Sequence, residues 1–304
     1  SIEESLVEVM KQIKGSYSLL IMTPHKLIAA RDPLGMRPLC IGKKDDSYIF
    51  SSETAALETV GAKFIRDVKP GEIVIANEEG MKSIQTEAPK ESKMCIFEFV
   101  YFARPDSIID GAYVYEARLE AGKILAKEQP VDADLVIGVP DSGLTAAIGY
   151  ARESGIPYGD GLMKNRYIGR TFIQPSQEMR EQAVRLKLNP FKNQVEGKRI
   201  IMIDDSIVRG TTSKRIVKML KDAGAKEVHI RISSPPVYYP CYFGIDTPHR
   251  KNLIANHYSI EEIAKLIGAD SLAFLSIEGL KKTPIGAKCG FCTACFDGNY
   301  PIKV

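Results

Sequence analysis

The sequence predicts an α/β protein in two parts: a leading α+β part built on short antiparallel strands, then a longer part with a parallel sheet and crossover helices. Three observations predict this. Short strand-like runs separated by Gly, Pro and Asp turns occupy residues 17–77, and apolar strands alternate with helices beyond about residue 110. Between them, "TEAPKESK" at residues 86–93 is a polar stretch without apolar periodicity, which places the expected boundary there and divides the chain into 1–92 and 93–304.

Taken in order, "SIEESLVEVMKQIKG" reads as a helix: Ser1 and Glu4 have capping-box spacing, Leu6, Val7, Met10 and Ile13 recur at helical intervals, and Gly15 stops it. The runs "YSLLIM", "KLIAA", "PLCIG", "YIFSS", "KFIRDV" and "EIVIAN" then suggest one antiparallel sheet. In the second part "ARLEAGKILAKEQ" is helical and "ADLVIGV" is a fully apolar strand. The helix "GLTAAIGYARESG" closes at Gly155, the strand "RIIMI" precedes the helix "TSKRIVKMLKDAG" closed by Gly224, and the strand "EVHIRI" follows. There is no internal repeat and no low-complexity segment.

Composition excludes some classes of function. With 304 residues and 44% hydrophobic content the chain suits a soluble globular protein of two domains. The net charge of +3 comes from charges mixed along the chain, without a basic block, so no nucleic-acid partner is expected. No apolar stretch is long enough to cross a bilayer, and Ser1-Ile2-Glu3-Glu4 is unlike a signal peptide. A cytoplasmic protein without a membrane partner is expected.

The chemistry concentrates where strands end. In an open parallel sheet, ligands bind at the carboxyl ends of the strands, and two unusual loops lie there: "VPDSG" (139–143) and "DDSIVRGTTS" (204–213). In the second, Gly210 lets the backbone approach a ligand closely. The amides of Thr211, Thr212 and Ser213 open a helix whose dipole favours an anion, which makes a phosphate cradle. Asp204 and Asp205 are adjacent like charges, which repel unless a cation or hydroxyl donors fill the gap. A sugar diol and Mg²⁺ would supply both. Taken alone, an acidic pair is more often a solvated helix start. The combination of buried strand, acid pair, glycine-hydroxyl loop and helix shifts the balance. The loop is neither a P-loop nor a dinucleotide fingerprint.

"IIMIDDSIVRGTTS" resembles the phosphoribosyl-pyrophosphate (PRPP) motif of the type I phosphoribosyltransferases. More narrowly, "VPDSGLTAAIGYARESGIPY", "MKNRYIGRTFIQPSQEMR" and "VRLKLNP" resemble the glutamine PRPP amidotransferase family, pentosyltransferases that open de novo purine synthesis, and the likeness runs along the whole chain. The resemblance implies a type I phosphoribosyltransferase fold preceded by the later part of an N-terminal-nucleophile hydrolase (glutaminase) domain. It implies that Asp204 and Asp205 hold the ribose hydroxyls and, with Ser142, the Mg²⁺. Asp141, Ser142 and Gly143 would meet the pyrophosphate, and Ser206, Arg209, Gly210, Thr211, Thr212 and Ser213 the 5-phosphate. The segment carrying Arg166, Tyr167 and Arg170 would be a lid that excludes water from a reactive ribosyl cation, with Lys187 adding positive charge near the pyrophosphate. Glutamine-derived ammonia would be the acceptor, with purine nucleotides as feedback inhibitors and a homo-oligomer as the working form.

Six cysteines are unevenly placed, with Cys289, Cys292 and Cys295 crowded into "CGFCTAC". A C-x-x-C leaves redox motif, zinc site and iron-sulfur site open, whereas four thiolates would close a metal site. The resemblance implies a 4Fe-4S cluster on Cys95, Cys241, Cys292 and Cys295, stapling residues 90–100 to the C-terminal segment. Zinc on the same thiolates is the rival. Cys289 would then be a spare thiol and Cys40 a core residue.

The chain departs from the family pattern at its start. "GSYSLLIM", "AARDPLGMRPLCIG" and "IFSSETAAL" resemble the later part of the glutaminase domain, without the cysteine nucleophile that begins it. Ser1 reads as a helix cap, so this chain alone is expected to use ammonia and not glutamine. Whether the front part is truncated or on another chain is open. Two further classes stay in view: a salvage-type phosphoribosyltransferase, which needs neither the cysteines nor residues 1–90, and a non-catalytic PRPP or nucleotide sensor.

Overall fold

The computed structural model describes residues 1–86, 91–165, 188–247 and 249–303. Contacts divide the chain into two compact units: Ser1–Ala117 with Tyr239–Pro248 and Pro284–Val304, and Arg118–Tyr238 with His249–Thr283. The described residues of the polar stretch, 86 and 91–93, fall in the first unit.

The first unit opens with α1 (Ile2–Gln12), where the expected capping box forms: the Glu4 amide donates to Ser1 Oγ at 3.2 Å and the Ser1 amine to Glu4 at 2.7 Å. Strands β1 (Ser18–Met22), β2 (Leu27–Arg31), β3 (Cys40–Lys44) and β4 (Ser47–Ser51) follow, then the short helix α2 (Thr54–Thr59), β5 (Lys63–Asp67), β6 (Glu72–Asn77) and β7 (Gly80–Gln85). The sequence suggests one antiparallel sheet; the structure holds two, ordered β1-β2-β6-β7 and β4-β3-β5. The alternation along β2 explains the split. Ala29 packs with Val74, Leu39 and Ile41, joining the two sheets, while Ile28 and Ala30 pack with Ile73 and the buried face of α1, Leu6 and Met10. A strand with apolar residues on both faces needs a covering layer on each. The mixed composition of β7, "GMKSIQ", hides it from a period-two reading, and it pairs as an edge strand. The unit continues through β8 (Met94–Cys95), β9 (Ile108–Ile109) and β10 (Ala112–Tyr113).

In the second unit, helix α3 (Val114–Glu128), whose first residues belong to the other unit, leads to β11 (Leu135–Gly138), α4 (Gly143–Ser154), β12 (Leu162–Lys164), β13 (Leu188–Pro190), β14 (Arg199–Asp204), β15 (Glu227–Ile232) and β16 (Ser271–Phe274). The expected parallel sheet is present, ordered β11-β14-β15-β16. Helices Thr211–Asp222 and Ile260–Ile267 pack on it through Ile216, Val217, Leu220, Ile263 and Ile267. Ile200, Ile201, Met202 and Ile203 of β14 are fully buried, each contributing about 1.5–3 kcal/mol. That burial anchors a strand whose last residue is a carboxylate. In the first unit, β17 (Phe291–Cys292) pairs in parallel with β8. Among the described residues no helix is long and apolar enough to cross a membrane.

Candidate functional site

Two sites emerge, one in each unit. In the second, Gly138 of β11 lies opposite Ile203 of β14, so the chain leaves the two strands side by side. The Val139 amide donates to the Ile203 carbonyl at 2.9 Å, and Gly143 then meets the strand end so closely that a Cβ there would stand 2.5 Å from the Ile203 oxygen. Only glycine allows this approach. It sets Ser142 beside the acid pair, and the Ser142 hydroxyl donates to Asp205 Oδ2. Ser206 donates to Asp205 Oδ1, and the Asp205 amide donates to Asp204 Oδ1 at 2.9 Å.

Both carboxylates are 7% exposed. Burial and then the Asp205 charge push Asp204 well above the usual carboxylate range. Burial also raises Asp205, opposed by the Ser142 and Ser206 hydroxyls and by the charge of Arg118. The solvated-helix-start alternative therefore does not describe this pair. Two buried acids with raised proton affinity and few donors suit a cation or sugar hydroxyls.

The following loop turns at Gly210 (φ +76°), which caps the helix Thr211–Asp222; a Cβ there would stand 2.9 Å from Ile254 Cδ1. The Ile254 amide also donates to the Val208 carbonyl at 2.9 Å, fixing the loop. Ser213 is buried, while Arg209, Thr211 and Thr212 are exposed at the mouth of the helix. Asp141 is exposed and pairs with Lys164 of β12. Arg166, Tyr167, Arg170 and Lys187 lie outside the described residues. Arg118 is what the sequence reading missed here. It is a buried residue of α3, remote in sequence from both loops, and no motif marks it.

In the first unit, Cys95, Cys241, Cys292 and Cys295 line one cavity, part of it open to solvent, together with Met36, Phe243, Ile245, Ala294 and Tyr300. Its walls are built from distant pieces of chain. Cys95 stands opposite Cys292 in the β8–β17 pair, and the Tyr239 amide donates to the Cys295 carbonyl at 3.0 Å. Tyr300 Oη donates to the Pro240 carbonyl at 2.7 Å, and the Cys241 amide to Thr247 Oγ1 at 3.0 Å. Burial pushes the Cys95 thiol up to about 12, raises Cys292, and raises Cys295 well above the ordinary thiol value. Apolar walls resist ionisation, and a bound metal would reverse that by compensating the thiolates. Among the described residues no group of three or more His, Cys, Asp or Glu side chains is placed to hold a metal ion. Cys289 packs instead against the core around Met94 and Phe99, and Cys40 is buried with Leu57 and Ala62.

The wall carrying Met36 comes from the loop "RDPLGMR". Asp32 accepts amide hydrogens from Leu34, Met36 and Arg37 at 3.0–3.2 Å. Arg31, 1% exposed, forks onto both Asp110 oxygens at 3.0 and 2.8 Å and donates to the carbonyls of Gly35, Arg37 and Val68. A buried guanidinium is tolerated because its donors are met.

Comparison with known proteins follows the same division. A glutamine amidotransferase domain model matches residues 1–59, and a phosphoribosyl transferase domain model matches residues 117–234. The amidophosphoribosyltransferase of Archaeoglobus fulgidus is 53% identical over 302 residues, covering 99% of this chain and 66% of that protein. That of Bacillus subtilis is 54% identical over all of this chain and 65% of its own length, and that of Methanocaldococcus jannaschii 52% identical over 99% and 67%. Among solved structures, the B. subtilis glutamine PRPP amidotransferase complexed with ADP and GMP superposes with a TM-score of 0.92 at 53% identity, covering 100% of this chain and 68% of that one. The chain thus spans about two thirds of the length of the relatives it matches.

Proposed function

The chain belongs to the amidophosphoribosyltransferase family, and from that premise we propose that it carries the PRPP-dependent half of the family's reaction: PRPP and ammonia, derived from glutamine in the whole protein, give 5-phosphoribosylamine and pyrophosphate, the first step of purine biosynthesis. The observation that carries this reading is the buried acid pair at the end of β14, bridged to the β11 loop by Ser142.

Asp204 and Asp205 accept from the ribose hydroxyls and, with Ser142, would hold Mg²⁺. When bound, that ion offsets negative charge on the departing pyrophosphate. The amides and hydroxyls from Ser206 to Ser213 take the 5-phosphate at the start of a twelve-residue helix. Asp141, Ser142 and Gly143 are assigned to the pyrophosphate on the family resemblance. Arg166, Tyr167, Arg170 and Lys187 are assigned to the closing segment on the family resemblance. Positioning and exclusion of water from the developing positive charge on the sugar supply most of the acceleration.

The cysteine site is assigned a structural 4Fe-4S cluster on Cys95, Cys241, Cys292 and Cys295. Four thiols lining one cavity support a shared thiolate site, and the family resemblance favours the cluster over zinc. Purine nucleotides are proposed as regulators, since the B. subtilis neighbour was solved with ADP and GMP and a second neighbour is described as the allosteric regulatory enzyme of purine biosynthesis. A homo-oligomer is proposed as the working form.

The test is pyrophosphate release from PRPP and Mg²⁺ with ammonia, glutamine or purine bases as acceptor. Release with ammonia is expected, rising with pH as ammonium deprotonates. Release only with purine bases would replace this reading with a salvage transferase, and PRPP binding without turnover would make the protein a sensor.

A further inference from the structure

Arg37 has no place in the reaction above, yet it follows Met36 and bonds to Phe243, both of which line the cysteine cavity. Its Nη1 donates to Glu98 at 2.7 Å, its Nη2 to the Phe243 carbonyl at 3.2 Å, and its guanidinium lies 5.5 Å from the centre of the Phe102 ring. Phe243, which accepts one of these bonds, lines the cavity together with Cys95 and Cys241.

The neighbouring hydrogen bonds give this position a consequence. The Phe243 amide donates to Cys241 Sγ at 3.3 Å, while the Phe243 carbonyl accepts from both Arg37 and Ser16 Oγ. One residue therefore links the guanidinium to the sulfur. On the other side the Cys95 amide donates to the Met36 carbonyl at 3.1 Å, so the residue preceding Arg37 is tied to a second cysteine. The Asp32 turn holds Met36 and Arg37 as one rigid piece.

We propose that Arg37 is a positioning and charge-compensating residue of the cysteine site: its cation offsets the net negative charge of the bound cluster, and its bond to Phe243 aims that amide at the Cys241 sulfur. The proposal rests on the cluster reading given above. Four thiolates in an apolar cavity need compensation, and nearby charge and hydrogen bonds to sulfur set how firmly a cluster is held and how easily it is reduced. Glu98 has the opposite sign of effect, because it neutralises part of the charge that Arg37 brings. The loop that matches the glutamine amidotransferase model nearby thereby contributes to a site whose ligands all lie beyond it in sequence.

The full chain would be reconstituted anaerobically with iron and sulfide as wild type, Arg37→Met, Arg37→Lys and Glu98→Gln. Midpoint potentials would be read by spectroscopically followed reductive titration, and iron loss by transfer to a chelator. Arg37→Met should move the midpoint negative and release iron roughly tenfold faster, equivalent to about 1.4 kcal/mol in the barrier. Arg37→Lys, which keeps charge but cannot reach Glu98 and Phe243 together, should hold the midpoint and still lose iron faster. Glu98→Gln should move the midpoint positive. An unchanged midpoint and iron loss in Arg37→Met, or shifts of the same sign in Arg37→Met and Glu98→Gln, would reduce Arg37 to a packing role and overturn the proposal. Wild-type protein that takes up no iron and sulfide would instead end the cluster reading itself, and this proposal with it.

Discussion

Cys95 stands opposite Cys292 in the parallel pairing of β8 with β17, and both thiols line one cavity. The register matters because side chains alternate across a strand: a slip of one residue would turn one thiol to the opposite face. Each of these strands is two residues long, too short to fix its own pairing by backbone hydrogen bonds alone. Ligation across the pair would supply the constraint that the strands lack.

The four cavity cysteines should therefore act as a set from which Cys289 is excluded. Cys241→Ser is expected to lower iron and sulfide content sharply and to loosen residues 91–96 and 289–298 in hydrogen exchange, whereas Cys289→Ser should retain the metal. Purified wild type should be brown with broad visible absorbance. Stoichiometric zinc in colourless, active protein would leave the thiol set intact and change its occupant.

At the acid pair, Asp204→Asn and Asp205→Asn should weaken PRPP binding and turnover by roughly tenfold to a hundredfold, since a charge-assisted hydrogen bond is worth about 1.5–3 kcal/mol. Both variants should remain folded, because each removes one of two buried charges that repel. Calorimetric titration with PRPP and Mg²⁺ reads the binding, and steady-state kinetics reads the rest. Unchanged affinity and turnover in both would remove the pair from the substrate site.

These two sites differ in how much of them the sequence exposes. The strand-end site is local: "IIMIDDSIVRGTTS" contains strand, acids, glycine and helix start in one run, so short-range patterns suffice. What escapes there is Arg118, on a helix that reaches the acid pair only through packing. The cysteines of the cavity come from three separated segments, and only the crowded "CGFCTAC" announces itself. Arg37 and Met36 reach it because Arg31 and Asp32 fold the preceding loop, and no period or spacing encodes that destination. The fold shows the same contrast. Apolar runs such as "LVIG" and "IIMI" reveal the parallel sheet, but the alternation in β2 does not say that two different layers cover its two faces.

Magnesium should stabilise the protein more strongly as pH rises. Asp204 and Asp205 have folded-state pKa values above the ordinary carboxylate value. Between the unfolded and folded values the native state thus binds more protons than the unfolded chain, and the pair's contribution to stability falls as pH increases through that window. A cation that binds the ionised pair reverses the loss. The rise in Tm on adding Mg²⁺ should be larger at about pH 8 than at about pH 5, and Asp205→Asn should shrink the difference. Equal Mg²⁺ shifts at both pH values would argue against these carboxylates as ligands.

A separate titration belongs to the first unit. Burial, and then the neighbouring Asp110 carboxylate, push Asp67 up to about 6, with the Arg31 cation acting in the opposite direction. Because that value lies above the unfolded one, Asp67 contributes most to stability when protonated. Its contribution declines as pH rises from the ordinary carboxylate value of 3.8 to about 6. Asp67→Asn keeps an oxygen to accept the Asp110 amide but removes the charge that titrates. The variant should match wild type at about pH 4 and exceed it by on the order of 1 kcal/mol at about pH 8, flattening the pH dependence between them. Urea unfolding at the two pH values separates the alternatives. A variant less stable than wild type at the higher pH would mean that the ionised Asp67 interacts with Arg31 more strongly than Asp110 repels it, so that the three residues act as a cohesive ion cluster and not as a buried pair with a frustrated third member.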